Sequence, residues 1–385
     1  MKYLHVISSV NPVGGGPIEG VRLLSTEMAR AGHEANVVCL DPPDSSFILD
    51  FPAHVHALGP VTSTYAYSRK LVPWLRAHAR EYDVIIVNGL WQYCGFAVWR
   101  ALAGTNTPYV VFTHGMLDPW FKKTYPLKHL KKWLYWPWAE YRVLRDAKNV
   151  IFTCEEERLL ARESFWLYRC NEAVTSYGTA PPPKNTPVLT ENFFNVYPQL
   201  RDKRIVLFLG RIHEKKGCDL LVEAFARVAN KHDDLHLLMA GPDQAGWGAE
   251  LKALADKYGV ADKITWPGML AGDLKWGAFY ACEVFSLPSH QENFGIAVAE
   301  ALACAKPVLI SNKVNIWREI EADNAGFVAD DTVEGTVTTL ERWLALTPLQ
   351  HKQMQQAAQA CFATRFHIEK VAARFCEILQ PRLGK

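Results

Sequence analysis

Residues 204–229 read RIVLFLG, then RIHEKKG, then CDLLVEAFARVA. The first piece is a short run of Ile, Val, Leu and Phe, the pattern of a strand covered on both faces. The last carries apolar residues at helical spacing. Between them lies a charged loop bounded by Gly210 and Gly217. Strand, loop and helix in this order make half of a parallel crossover unit, and a strand covered on both faces needs helices on both sides of its sheet.

The same alternation runs outward in both directions. Strands are expected at Tyr3–Ser8, Ala35–Leu40, Val84–Asn88, Tyr109–Thr113, Asn149–Thr153 and Ala173–Ser176. A second set is expected at Arg204–Leu209, Leu235–Ala240, Lys263–Trp266, Val284–Leu287, Pro307–Ile310 and Gly326–Val328. Two successive sets predict an α/β protein of two Rossmann-like, doubly wound parallel-sheet domains facing a cleft. Between the sets, Gly178–Pro198 contains five prolines and no clear period, which reads as a connecting segment. The expected domains are 1–180 and 181–365. An amphipathic helix, from about His367 to Leu383 within 366–385, is expected to return to the first domain.

At 385 residues the chain exceeds what one core ordinarily supports. Its 49% hydrophobic and 21% charged residues are those of a globular protein, and a net charge of +2 gives no reason to expect nucleic acid as a partner. Nine scattered cysteines without a CxxC pair suit buried thiols better than a disulfide framework. No stretch resembles a signal peptide or a membrane span, so the cytoplasm is expected. The helix-like stretch Lys122–Arg145 mixes Lys122, Lys123, Lys128, Lys131 and Lys132 with Trp133, Tyr135, Trp136 and Trp138. Such a mixture reads first as a solvated face over an aromatic core face, and also permits peripheral contact with the inner face of an anionic membrane.

Four stretches carry chemistry. Glu292-Asn293-Phe294-Gly295-Ile296-Ala297-Val298-Ala299-Glu300 follows the strand at Val284–Leu287, with a helix expected from near Phe294. Amides at a helix start attract phosphate. Carboxylates eight residues apart, ~12 Å along a helix axis, suit a ligand with hydroxyls at both ends and phosphates between. Arg211 and Lys216, both expected exposed at a strand's carboxyl end, form a diphosphate site: Arg211 as a fork, Lys216 as a point charge. Gly14, Gly15 and Gly16 after the first strand permit close backbone approach, though they match neither GxGxxG nor a P-loop. His114 ends the strand YVVFTH and is expected to face the crevice, with no second ligand at metal-binding spacing. The chain has no Asp-x-Asp, so no metal and no cofactor is expected, and Arg211, Lys216 and helix N-termini would neutralise a leaving diphosphate.

Taken together, GRIHEKKG, ENFGIAVAE with its preceding LPS, and EALACAKPV resemble family-4 retaining glycosyltransferases of the GT-B fold, over nearly the whole chain and most strongly from Arg204 to Gly326. The resemblance implies that Arg211 and Lys216 hold the diphosphate. Glu300 would take the ribose, and Glu292 the donor sugar, with backbone amides of Asn293, Phe294, Gly295 and Ile296 near it. It places Gly14–Gly16 by the phosphates and acceptor, His114 by the transferred sugar, and the backbone at Met269 against the base. Asn293, Ala305 and Tyr177-Gly178-Thr179 depart from the commoner family pattern, and THGMLDPW with YGTAPPP resembles members that build bacterial exopolysaccharide.

The expected function is therefore metal-independent hexosyl transfer with retention, from a UDP-sugar such as UDP-glucose to a saccharide or lipid-linked saccharide. The alternatives are a nucleotide-sugar 2-epimerase of similar fold and a non-catalytic nucleotide-sugar-binding subunit. No acid lies between Thr265 and Gly272 to pair with a guanine, and Asp273 is expected to cap the next helix.

Overall fold

A computed structural model describes residues 1–380 except Asn185, Thr186 and Ala245. The chain forms two compact units: Met1–Gly178 joined by the chain from Ile368 onward, and Thr179–His367.

The first unit holds β1 (Lys2–Val6), β2 (Glu34–Cys39), β3 (His54–Ala57), β4 (Val84–Asn88), β5 (Tyr109–Phe112), β6 (Asn149–Phe152) and β7 (Glu172–Val174). They form one parallel sheet in the order β3-β2-β1-β4-β5-β6-β7. The direction in which strands are added reverses between β1 and β4, which leaves a crevice where the loops after them diverge. All five residues of β4 are buried, as a central strand under helices requires. The helix Ile368–Leu379 closes this unit: Phe375 is fully buried beside Phe112, and Lys148 Nζ donates to the Leu379 and Gln380 carbonyls at 2.7 and 2.8 Å. The last turn expected for this helix, to Leu383, lies outside the described residues.

The second unit holds β8 (Arg204–Leu209), β9 (Leu235–Ala240), β10 (Ile264–Gly268), β11 (Val284–Leu287), β12 (Val308–Ser311) and β13 (Gly326–Ala329). Their order is β10-β9-β8-β11-β12-β13, again all parallel, and here the reversal falls between β8 and β11.

Four expectations need correction. The strand β3 was not anticipated: it is an edge strand, HVHA, with no fully buried residue, so it lacks the apolar run of its neighbours. Within the expected connecting segment, Pro187–Val196 is a helix that buries Leu189 and Phe193, because a proline at the first turn starts a helix as readily as it ends one. The stretch Lys122–Arg145 is not one helix. It breaks into Trp120–Thr124, Pro126–Tyr135, a tight turn at Trp136–Trp138, and Glu140–Asp146, with Pro126 and Pro137 at the breaks. Asp273 does not cap the helix Gly272–Ala281: Ala271 occupies the N-cap position without a side-chain cap bond, and Asp273 sits in the first turn, where its charge favours the helix N-terminus. All nine cysteines are thiols, seven of them buried. No helix among the described residues is long and apolar enough to cross a membrane.

The loop after β4 is held by an unusual contact. Trp91 has φ 67, and its backbone N–H donates to Glu140 Oε1 at 2.6 Å while its indole donates to the Met116 carbonyl at 3.0 Å. Glu140 is 1% exposed, and burial pushes its carboxyl up to about 7 from an ordinary 4.5. The folded state therefore binds this proton more tightly than the unfolded chain does. The resulting stability is fully present below about pH 4.5 and is lost as pH rises towards 7. Glu140→Gln keeps the acceptor for Trp91 without the charge. Thermal unfolding followed from pH 5 to pH 8 should show the variant gaining on the wild type as pH rises; parallel curves would show that Glu140 titrates in the fold as it does in the unfolded chain.

Candidate functional site

In the second unit the β8–β11 pairing brings the loop after β8 alongside the loop after β11. Gly210 and Ile212 are pinned by N–H bonds to the Ala240 and Pro242 carbonyls, and the His290 N–H donates to the Lys215 carbonyl at 2.9 Å. Residues Glu214–Lys216 form one tight turn, and Gly217, at φ 64, turns the chain into the helix Cys218–Ala229. A Cβ on Gly217 would lie 2.2 Å from the Pro288 carbonyl oxygen, so only glycine fits.

This turn delivers Lys216 to Glu292, whose Oε2 accepts from the ammonium; the two side chains are 15% and 18% exposed. Lys216 is thus not the exposed cation expected. Burial first, then the like charges of Lys215 and Arg211, push it down to about 8. Arg211 is exposed, as expected. Glu292 is fixed through its backbone, donating to the Lys313 carbonyl and accepting from the Asn315 N–H, each at 2.9 Å.

The helix expected from Phe294 begins at Ile296, with Gly295 as its cap at φ 76. Glu292 therefore lies in extended backbone, paired with Val314, and the ~12 Å helical spacing to Glu300 does not apply. Glu300 sits at the start of the second turn, 13% exposed, and accepts from Lys275 Nζ at 2.6 Å. Phe294 is buried against Phe366, while Asn293 and Ile296 are partly exposed. Met269, after β10, is 71% exposed. Arg211, Lys216, Met269 and the segment from Glu292 thus all follow the carboxyl ends of strands in one sheet.

The first unit holds the other expected residues. Asn11 caps the turn Pro12–Gly14, Gly15 has φ 78 with open space around it, and Gly16 begins the helix to Arg30. Asp41 anchors this loop by accepting from Ser9 Oγ at 2.6 Å and the Val10 N–H at 2.8 Å. His114, at φ 51, stacks on Phe112 and Tyr177; its Nδ1 meets the Tyr177 hydroxyl and its Nε2 lies 3.3 Å from Asn88 Oδ1. Burial pushes its pKa down to about 3, so the imidazole is neutral and holds one proton to share between these partners.

Two domain families together match most of the chain. A glycosyl transferase 4-like domain matches residues 15–178, and glycosyl transferases group 1 matches residues 190–360. The chain belongs to the group 1 glycosyltransferases. Among curated relatives of this glycosyltransferase, a D-inositol 3-phosphate glycosyltransferase of Segniliparus rotundus is 31% identical over 147 residues, covering 37% of this chain and 31% of the relative. One of Paenarthrobacter aurescens is 30% identical over 175 residues, 42% of each. The chain therefore spans less than half the length of the curated relatives it matches. The solved structure of Anabaena Alr3699/HepE in complex with UDP and glucose shares the fold at TM-score 0.76 and 20% identity, covering 98% of this chain and 99% of that one. The two-sheet architecture is thus that of GT-B proteins.

Three partners of the candidate site residues escaped the sequence reading. Lys275 on Glu300 is a tertiary pairing that no local motif announces. Asn315, 3.5 Å from Asn293 Oδ1, is equally remote in sequence. Tyr177 stood in a quoted motif, but nothing there marked it as the partner of His114. The close fit at Gly217 is testable. Gly217→Ala combines a left-handed backbone with a carbonyl contact and should cost roughly 1–3 kcal/mol. Denaturant unfolding measures it, and an unchanged midpoint would show that the Lys216 turn yields freely.

Proposed function

We propose that this glycosyltransferase moves a hexose, with retention of configuration, from a UDP-sugar to a saccharide or lipid-linked saccharide acceptor. UDP-glucose is the leading donor and exopolysaccharide assembly the leading context. The observation that carries the reading is the Lys216–Glu292 pair at the β8–β11 reversal, beside the exposed Arg211. In an open parallel sheet this is where ligands bind. Two cations there match a leaving diphosphate, and a carboxylate beside them matches sugar hydroxyls.

In the proposed reaction the bond from the anomeric carbon to the diphosphate oxygen breaks, and its electron pair stays on that oxygen. Arg211 and Lys216 stabilise the charge that grows there. The acceptor hydroxyl forms the new bond from the same face, and its proton passes to the leaving phosphate oxygen. Glu292 orients the sugar, Glu300 the ribose, and neutral His114 offers a hydrogen bond rather than a charge. The neighbour solved with UDP-glucose supports the donor, as does the lack of an acid in the sequence from Thr265 to Gly272 around exposed Met269, where backbone groups are left to pair with a uracil edge.

Two measurements test this. With labelled UDP-glucose and EDTA present, Arg211→Ala and Lys216→Ala should each lower kcat/KM by about 2–4 kcal/mol, roughly 30- to 1,000-fold. Arg211→Ala is the cleaner variant, because Lys216→Ala also strips Glu292 of its cation. Label on an acceptor marks transfer, an epimerised donor or no turnover would reject it, and wild-type kcat/KM in both variants would remove the assigned roles. Calorimetry then addresses the base. UDP should bind more tightly than GDP; a tenfold preference for GDP, about 1.4 kcal/mol, would overturn the uridine assignment.

A further inference from the structure

The first unit contains a cavity of about 200 Å³ that none of the donor residues line. Its wall runs from Met116 to Lys132, the chain that follows β5, and is closed by Ser164 and Phe165. The wall is tied to the loop after β4: the Trp91 indole donates to the Met116 carbonyl, and the Leu90 N–H approaches Met116 Sδ at 3.0 Å. The cavity therefore sits beside the carboxyl ends of β4 and β5, next to the reversal in this sheet.

Its charge is one-sided. Lys122, Lys128 and Lys132 line it, and Asp118 is the one acid among the described lining residues. Asp118 accepts from the Trp120 N–H at 2.8 Å, which occupies that carboxylate oxygen locally. None of the three lysines makes an ion pair among the described residues. Two are held by rings instead. Lys132 Nζ lies 4.6 Å from the Trp91 centroid and 5.4 Å from that of Phe121, and Lys128 Nζ lies 4.6 Å from that of Tyr125. A ring face attracts an ammonium without neutralising it, so the positive charge stays available. Lys132 is half-buried, and burial lowers its pKa; the nearby Glu140 carboxylate opposes that shift and the like charge of Lys128 adds to it, so an anion in the cavity would further favour its charged form. The volume is below the roughly 300–1,000 Å³ of pockets that hold a whole small molecule. It suits a phosphate group with little else.

We propose that this cavity is the anion subsite of the acceptor, taking a phosphate or diphosphate that the acceptor saccharide carries. The inference rests on the chain being a glycosyltransferase, and it adds that the acceptor is phosphorylated. Lys132 and Lys128 hold the anion from the helix Pro126–Tyr135, and Lys122 closes on it from the preceding turn. The outer face of the same helix exposes Leu127, Leu130 and Leu134, at 78%, 54% and 60%. A lipid-borne phosphate and a soluble sugar phosphate share this chemistry, and the test separates them.

The intact chain is titrated calorimetrically with glucose 1-phosphate, and in parallel with phosphatidylcholine vesicles with and without phosphatidic acid. The same titrations are run on Lys132→Met, Lys122→Ala/Lys128→Ala, Arg211→Ala and the surface control Lys352→Ala. Circular dichroism checks folding; the exposed Lys122/Lys128 pair keeps the test open if Lys132→Met does not fold. At least one phosphate probe should bind saturably, at least tenfold more weakly in the lysine variants and unchanged in Lys352→Ala. Binding must persist in Arg211→Ala. Glucose 1-phosphate alone would name a soluble acceptor, and phosphatidic acid alone a lipid-linked one. No binding of either probe, lysine variants that bind as the wild type does, or loss in Arg211→Ala alone would overturn the subsite. UDP affinity, measured separately in the lysine variants, reports on the donor reading whatever the phosphate result.

Discussion

The pairing of β8 with β11, Val206 on Val284 and Leu207 on Phe285, is the constraint on which the candidate site depends. Neither strand is the sequence neighbour of the other: β9 and β10 extend the sheet one way from β8, while β12 and β13 extend it the other way from β11. A loop leaving β8 and a loop leaving β11 therefore emerge side by side and diverge. The His290 N–H bond to Lys215 and the close fit of Gly217 under Pro288 set their separation. Lys216 and Glu292 meet because this gap is narrow, and both stay mostly buried because the loops wall them in. A mostly buried ion pair contributes little net stability, since desolvation offsets its attraction. Its placement at a topological switch point is more readily explained by a ligand than by the fold.

Most of the sheet scaffold was legible because parallel strands covered on both faces are nearly continuous apolar runs. Val84–Asn88 and Leu235–Ala240 are buried at every position, and both read directly as strands. Legibility failed where that pattern lapses. His54–Ala57 borders the sheet, is half-covered, and alternates histidine with aliphatics, so nothing in its composition marks it. The helix Pro187–Val196 was masked by the prolines before and after it, although its Leu189 and Phe193 pack on the helix Gly272–Ala281, as the close approach of Gly277 to both residues shows. The helix after β11 starts two residues later than its apolar pattern suggests, because Gly295 adopts a left-handed conformation that periodicity does not encode.

The site divides along the same line. Arg211, Lys216, Glu292 and Glu300 were nameable because each stands in a local pattern tied to a strand end. Their electrostatics were not. Lys216 is charged against burial and against Lys215 and Arg211, and Glu300 is matched by Lys275 from a different helix. Both facts follow from tertiary placement. The same holds for His114. Its position at the end of β5 was readable, whereas its neutrality follows from burial among Phe112, Tyr177 and Asn88.

The first unit shows how one polar contact propagates. Trp91 adopts a left-handed backbone that a bulky residue ordinarily avoids, at a cost of order 1–3 kcal/mol. Glu140 compensates by accepting its N–H, and to do so it is buried where its charge is disfavoured. The conformation turns the indole towards the Met116 carbonyl on one side and presents its ring to Lys132 on the other. A strained residue, a buried acid and an ammonium seated on ring faces near that acid thus converge on one loop. Each alone lowers stability. Their coincidence beside the carboxyl ends of β4 and β5, where an open parallel sheet binds its ligands, is better explained by what the loop must hold than by what the core requires.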